Sequence, residues 1–153
     1  MSVVTSEDLL TEQLQDMYSA ANQFEEVIGK LMDVSPSKDS SDLLAMRRES
    51  VRQHRERIKE LSRTYEFATG GTHCAAAEGI VRESVGIESI PTPEVRAAAI
   101  IGFLKRVTGY NAAGFSTALG LALKLNYNET AESVRACFEE EKRSRAKLEG
   151  IVF

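Results

Sequence analysis

A single inward carboxylate stands where a metal-binding helical bundle would need several. Four long apolar stripes run through the chain, and the middle of each is held by Ala21, His54, Asn111 and Glu141 in turn. Bundles that hold two iron or manganese ions place about four glutamates and two Glu-x-x-His motifs at such a level. No Glu-x-x-His string occurs here, and Glu141 alone cannot neutralise two divalent ions. These residue types suit a buried polar cluster instead. A lone buried carboxylate is costly unless it is paired. Arg145 lies one turn beyond Glu141, the spacing of a Glu-to-Arg pair on a helix. The expected cluster is therefore His54, Asn111, Glu141 and Arg145, with Arg145 supplying the positive charge that a metal would give. The alternative is that Glu141 and Arg145 reach the bundle edge and are solvated.

Other chemistry finds little support. Two histidines cannot build a Ser/His/Asp or Cys/His constellation around any one nucleophile, so His54 is expected to be a hydrogen-bonded packing residue. Cys74 follows His73 at a loop-to-helix junction, where a helix N-terminus can lower a thiol pKa; simple burial of a small residue is the competing expectation. Arg48, Arg52, Arg55, Lys59 and Arg63 line one side of the second long helix. A basic stripe can meet phosphates, but Glu49, Glu56 and Glu60 interleave with it and the chain is acidic overall, so a solvated face is expected. No glycine-rich phosphate loop lies between a strand and a helix.

The elements that must position these residues are helices. The first is expected over about Ser6 to Met32, with stripe Leu10, Leu14, Met17, Ala21, Phe24, Ile28 and Leu31. Its steps of three and four are those of one helical face, and Thr5 or Ser6 can cap it. The second is expected over about Ser41 to Ala68, with Leu44, Val51, His54, Ile58, Leu61 and Tyr65 on one face. A short helix follows, over about Cys74 to Ser89. Thr92 and Pro93 then suit the cap and first turn of a third long helix, Pro93 to Leu125. Its stripe is Ile100, Leu104, Val107, Asn111, Gly114, Ala118, Leu121 and Leu125. The fourth is expected over about Glu129 to Glu149, with Val134, Cys137 or Phe138, Glu141, Arg145 and Leu148. No alternating strand pattern or internal repeat is present. The fold expected is an all-α four-helix bundle in one domain, residues 1–153, with the short helix in the crossover between the second and third long helices.

The back of the third long helix is unusually small: Gly102, Gly109, Ala113, Ser116 and Gly120. Each glycine inside a helix costs roughly 1 kcal/mol against alanine. Close approach of another helix would offset that, and the candidates are the short helix or a second copy of the chain. The chain is therefore expected to form a homodimer through this stripe.

A net charge of −4 gives no general pull toward nucleic acid or anionic membrane. No stretch approaches the ~18 apolar residues of a membrane span. The N-terminus lacks a basic start and an apolar signal core, so export is not expected. Cys74 and Cys137 match no zinc spacing and are expected to be reduced thiols of a cytoplasmic protein.

Several strings converge on one family. They are Asp16-Met17-Tyr18-Ser19-Ala20 with Gln23, Cys74 through Gly79, Glu94-Val95-Arg96-Ala97-Ala98, and Glu139-Glu140-Glu141-Lys142. In this order and spacing the chain resembles the YciE/YciF family of ferritin-like bacterial stress proteins, over roughly Asp8 to Leu148. The resemblance implies a ferritin-like bundle that forms dimers and carries a metal site inside. The chain departs from the family's acidic strings: the first-helix glutamate is Ala21, the second-helix string falls at Ser50 to His54 without a carboxylate, and the third reads Val107 to Asn111. The function expected is thus that of a non-enzymatic member with a degenerate, metal-free centre and no cofactor. The alternative is a metal-dependent oxidase or iron-handling protein with an altered site built on Glu139 to Glu141 and His54.

Overall fold

A computed structural model describes residues 2–153. Among these described residues five α-helices form in chain order: α1 (Ser6–Asp33), α2 (Lys38–Thr64), α3 (Ala75–Glu83), α4 (Pro93–Lys124) and α5 (Asn128–Glu149). A 3-10 turn, Ile87–Ser89, follows α3. The four long helices make a bundle of two hairpins. α1 lies along α2 and α4 along α5, and α1 also packs on α4. The α3 segment crosses from one hairpin to the other, as the sequence pattern predicts.

Local chemistry sets the ends. Thr5 caps α1 in a capping box, its side chain accepting from the Asp8 N–H while the Asp8 carboxylate accepts from the Thr5 N–H. Ser37 caps α2 through its side chain, so α2 starts three residues before the expected Ser41. It stops at Thr64 rather than Ala68, because Glu66 turns the chain at φ 53°. Pro93 opens α4 as predicted, although the Thr92 side chain makes no capping hydrogen bond. Asn126, at φ 58°, closes the turn into α5.

The apolar core is split in two. One cluster gathers Phe24, Ile28, Leu44, Val51, Ile100, Leu104, Val107 and Leu148 beneath α3. The other gathers Leu10, Leu14, Met17, Ile58, Leu61, Phe115, Val134 and Cys137 at the opposite end. Between them lies the level of His54, Asn111 and Glu141, all buried. α1 and α4 approach closely beside this level: a Cβ on Gly114 would stand 2.1 Å from Met17 Sδ.

The crossover is fixed by polar contacts to α1 and α4. The Cys74 N–H donates to Ser19 Oγ at 2.9 Å, and Gln23 Nε2 donates to the Cys74 carbonyl at 3.1 Å. Cys74 is buried, its Sγ accepts from the Ala77 N–H, and it lies 2.8 Å from Tyr110 Oη. The thiol thus caps and anchors α3, in line with burial rather than reactivity.

Candidate functional site: a buried ion cluster at the bundle centre

The structure brings three α2 and α5 side chains together at the gap between the two apolar clusters. Glu141 is fully buried. Its Oε1 accepts from Arg47 Nη2 at 2.5 Å and lies 2.7 Å from His54 Nε2. Arg47 Nη1 donates to Ser144 Oγ at 2.8 Å. The His54 ring stands edge-on to Phe115, with centroids 5.0 Å apart. Burial disfavours charge on His54, yet Cys137 and Glu141 beside it outweigh this and raise its pKa to about 9.

Two of the expected members are placed otherwise. Arg145 is not Glu141's partner. It is exposed and pairs with Glu149 at 2.8 Å. The buried face of α5 advances from Val134 through Cys137 and Glu141 to Leu148, with Ser144 half-buried between the last two. That alternation of three and four turns Arg145 outward. Arg47 takes its place. It occupies the step between Leu44 and Val51 on the buried face of α2, and only 3 % of it is exposed. Asn111 is buried at the same level but makes no side-chain hydrogen bond to the cluster among the described residues.

Two further polar contacts join α2 to α5. Below the cluster, Arg57 Nη1 donates to Cys137 Sγ at 3.4 Å, and above it Lys147 Nζ meets Met46 Sδ at 3.9 Å. The basic stripe of α2 serves the opposite edge. Arg52 and Arg55 both pair with Glu25 of α1. Burial would raise the Glu25 pKa, but the two guanidiniums hold it below the ordinary value.

A di-metal centre does not fit these residues. The carboxylate is one where several are needed, and a guanidinium, a permanent cation, already binds its Oε1. Ala21 adds no ligand atom. Glu139 is exposed and lies 3.8 Å from Lys142, outside the centre. Among the described residues no group of three or more His, Cys, Asp and Glu could hold a metal ion. Glu141 Oε2, His54 Nδ1 and Arg47 Nε are buried without a hydrogen-bond partner there.

The small-residue stripe of α4 is mostly uncovered within one chain. Ala113, Ser116 and Gly120 are exposed, and a Cβ on Gly109 or Gly120 would meet nothing within 4 Å. Gly102 alone sits in the groove between α4 and the segment of Val85 to Ile90. No helix among the described residues is long and apolar enough to cross a membrane.

Known proteins share this architecture. The chain is 31% identical to the stress-associated protein YciF of Escherichia coli strain K12 over 150 residues, which span 97% of this chain and 90% of that one. The crystal structure of the E. coli stress protein YciF matches with a TM-score of 0.89 at 29% identity, covering 96% of this chain and 94% of that one. The protein YcfI of Rhodopseudomonas palustris matches with a TM-score of 0.91 at 25% identity, covering 99% and 98%. The DUF892 family, a domain of unknown function, matches residues 5–152. By sequence over nearly its full length and by fold, this chain belongs to the DUF892 family, together with the stress protein YciF.

Proposed function

We infer that this chain is a YciF-like stress protein that acts without catalysis, through assembly, and whose bundle centre is held by its own ion cluster in place of a metal. The observation that carries the reading is the Arg47 guanidinium 2.5 Å from the fully buried Glu141. A buried carboxylate needs a cation, and here the chain supplies it covalently. The assembly is a homodimer built on the exposed small-residue face of α4, Gly109, Ala113, Ser116 and Gly120. Two unpaired cysteines suit a reducing cytoplasm.

Elemental analysis of untagged protein from iron-replete cells tests the centre. The expected result is no stoichiometric iron, manganese or zinc. About two equivalents per chain, the content of a di-metal bundle, would overturn the reading in favour of an iron-handling or oxidase role.

A further inference from the structure

The outward line of α4 has a groove at one end and an exposed leucine at the other. Steps of four and three lead from Gly102 through Arg106, Gly109, Ala113, Ser116 and Gly120 to Leu123. That is the spacing of a helix that stays beside another along its length, at a crossing angle of roughly 20°. Leu123 is 49% exposed. The groove, of about 510 Å³, lies between α4 and the segment that follows α3. Its lining includes the buried Phe103 and Ile87 and the exposed Val85, 78% accessible to solvent. Gly102 keeps it open: a Cβ there would meet only the Arg106 guanidinium, at 3.7 Å.

The direction of a second α4 decides what these features can do for each other. In a parallel pair each residue meets its own copy. Arg106 then faces Arg106, Lys124 lies beside Lys124, and groove meets groove. Like charges set against each other oppose association. In an antiparallel pair turned about Ala113, Gly109 meets Ser116, Arg106 meets Gly120 and Gly102 meets Leu123. The like charges part, and Lys124 comes to the end of α4 where Glu83 lines the groove. Leu123 and Val85, each left in water within one chain, then cover one another.

We propose that this groove is the socket for Leu123 of a second copy of the chain, with the two α4 helices antiparallel about Ala113. The inference rests on the dimer reading above and adds its direction and its anchoring contact, made twice by symmetry.

Crosslinking of the full chain with a short bismaleimide tests it. Cys74 and Cys137 are buried, and wild type treated alike reports their background. Positions 102 and 123 lie roughly 30 Å apart along one helix, so a chain carrying both Gly102→Cys and Leu123→Cys can link them only through its partner. This double variant should give a covalent dimer, and neither single variant should. Ala113→Cys, beside the axis, should crosslink by itself. In light scattering, Leu123→Ala should raise the dimer Kd at least about tenfold, for the loss of a buried apolar side chain from each copy. Crosslinking of either end variant alone overturns the antiparallel direction. A wild-type dimer whose double variant stays uncrosslinked, or whose Leu123→Ala variant associates as tightly, overturns the socket and leaves the dimer reading standing. A monomeric wild type overturns both.

Discussion

Replacing Arg47 by Met keeps most of the side-chain volume and removes the cation. The Arg47 side chain is 4% exposed and that of Glu141 is 0% exposed, so no water replaces the lost partner cheaply. Breaking a buried pair by deleting one member costs about 3–5 kcal/mol. His54 remains 2.7 Å from Glu141 and keeps part of the pairing, which places Arg47→Met near the lower end, about 3 kcal/mol. With a urea m-value of about 2 kcal/mol per M, the midpoint should fall by roughly 1.5 M. Glu141→Gln should cost a similar amount by stranding the guanidinium. Combining the two removes both charges and should recover much of the loss, giving a coupling of about 2 kcal/mol. Arg145→Ala touches only an exposed pair with Glu149, both side chains 55% exposed, and should change stability by less than about 0.5 kcal/mol. Urea unfolding followed by circular dichroism reads all four variants. Additive losses in the double variant, or an Arg145→Ala loss equal to that of Arg47→Met, would refute the assignment of Arg47 as the partner.

The His54 pKa rises from an ordinary 6.5 to about 9 in the folded chain, so protonation favours the native state. That contribution, on the order of 3 kcal/mol, is fully present below pH 6.5 and is lost as the pH rises through about 9; His54→Gln should flatten stability across this window in urea titrations at successive pH values. Gly114→Ala should destabilise by about 1 kcal/mol, because its Cβ would overlap Met17 Sδ in a packed core. Gly79→Ala, on α3 and off the small-residue face of α4, meets open space and should stabilise that helix by about 0.5–1 kcal/mol; thermal melts decide both. Light scattering after size exclusion should show a dimer that Gly109→Leu breaks. A wild-type monomer rejects the dimer, and a dimer unchanged by Gly109→Leu moves the interface off this face.

The helices were legible because each carries a long three-four stripe and clear stops, and their observed ends differ by a few residues only where a cap or a left-handed residue intervenes. Ser37 and Glu66 are the examples on α2. The polar level was also legible, since His54, Asn111 and Glu141 interrupt apolar stripes. Its counter-ion was misassigned for an identifiable reason. The step from Leu44 to Val51 is seven residues, and the intervening buried position falls on Arg47. An arginine there looks like one more member of a solvated basic helix until α5 supplies its partner, 94 residues away in sequence. Arg145 satisfied local spacing, but Leu148 sets the phase of α5 and leaves Arg145 outside. The glycine stripe had two candidate partners that spacing alone could not separate, and within one chain α3 leaves most of it open.

The seam also acts as a ruler for docking. Each hairpin is built from near neighbours in sequence, α1 with α2 and α4 with α5, so each can form early from local contacts. Apolar faces alone would let the hairpins settle one turn out of step with modest loss. The ions forbid it. A slip of α5 by one turn brings either Cys137 or Ser144 level with Arg47 in place of Glu141. Either slip leaves the buried guanidinium and His54 without their carboxylate. Glu141 thus indexes one alignment of the two halves against its nearest competitors, and a chain with an all-apolar seam would lose that discrimination even where it kept its stability.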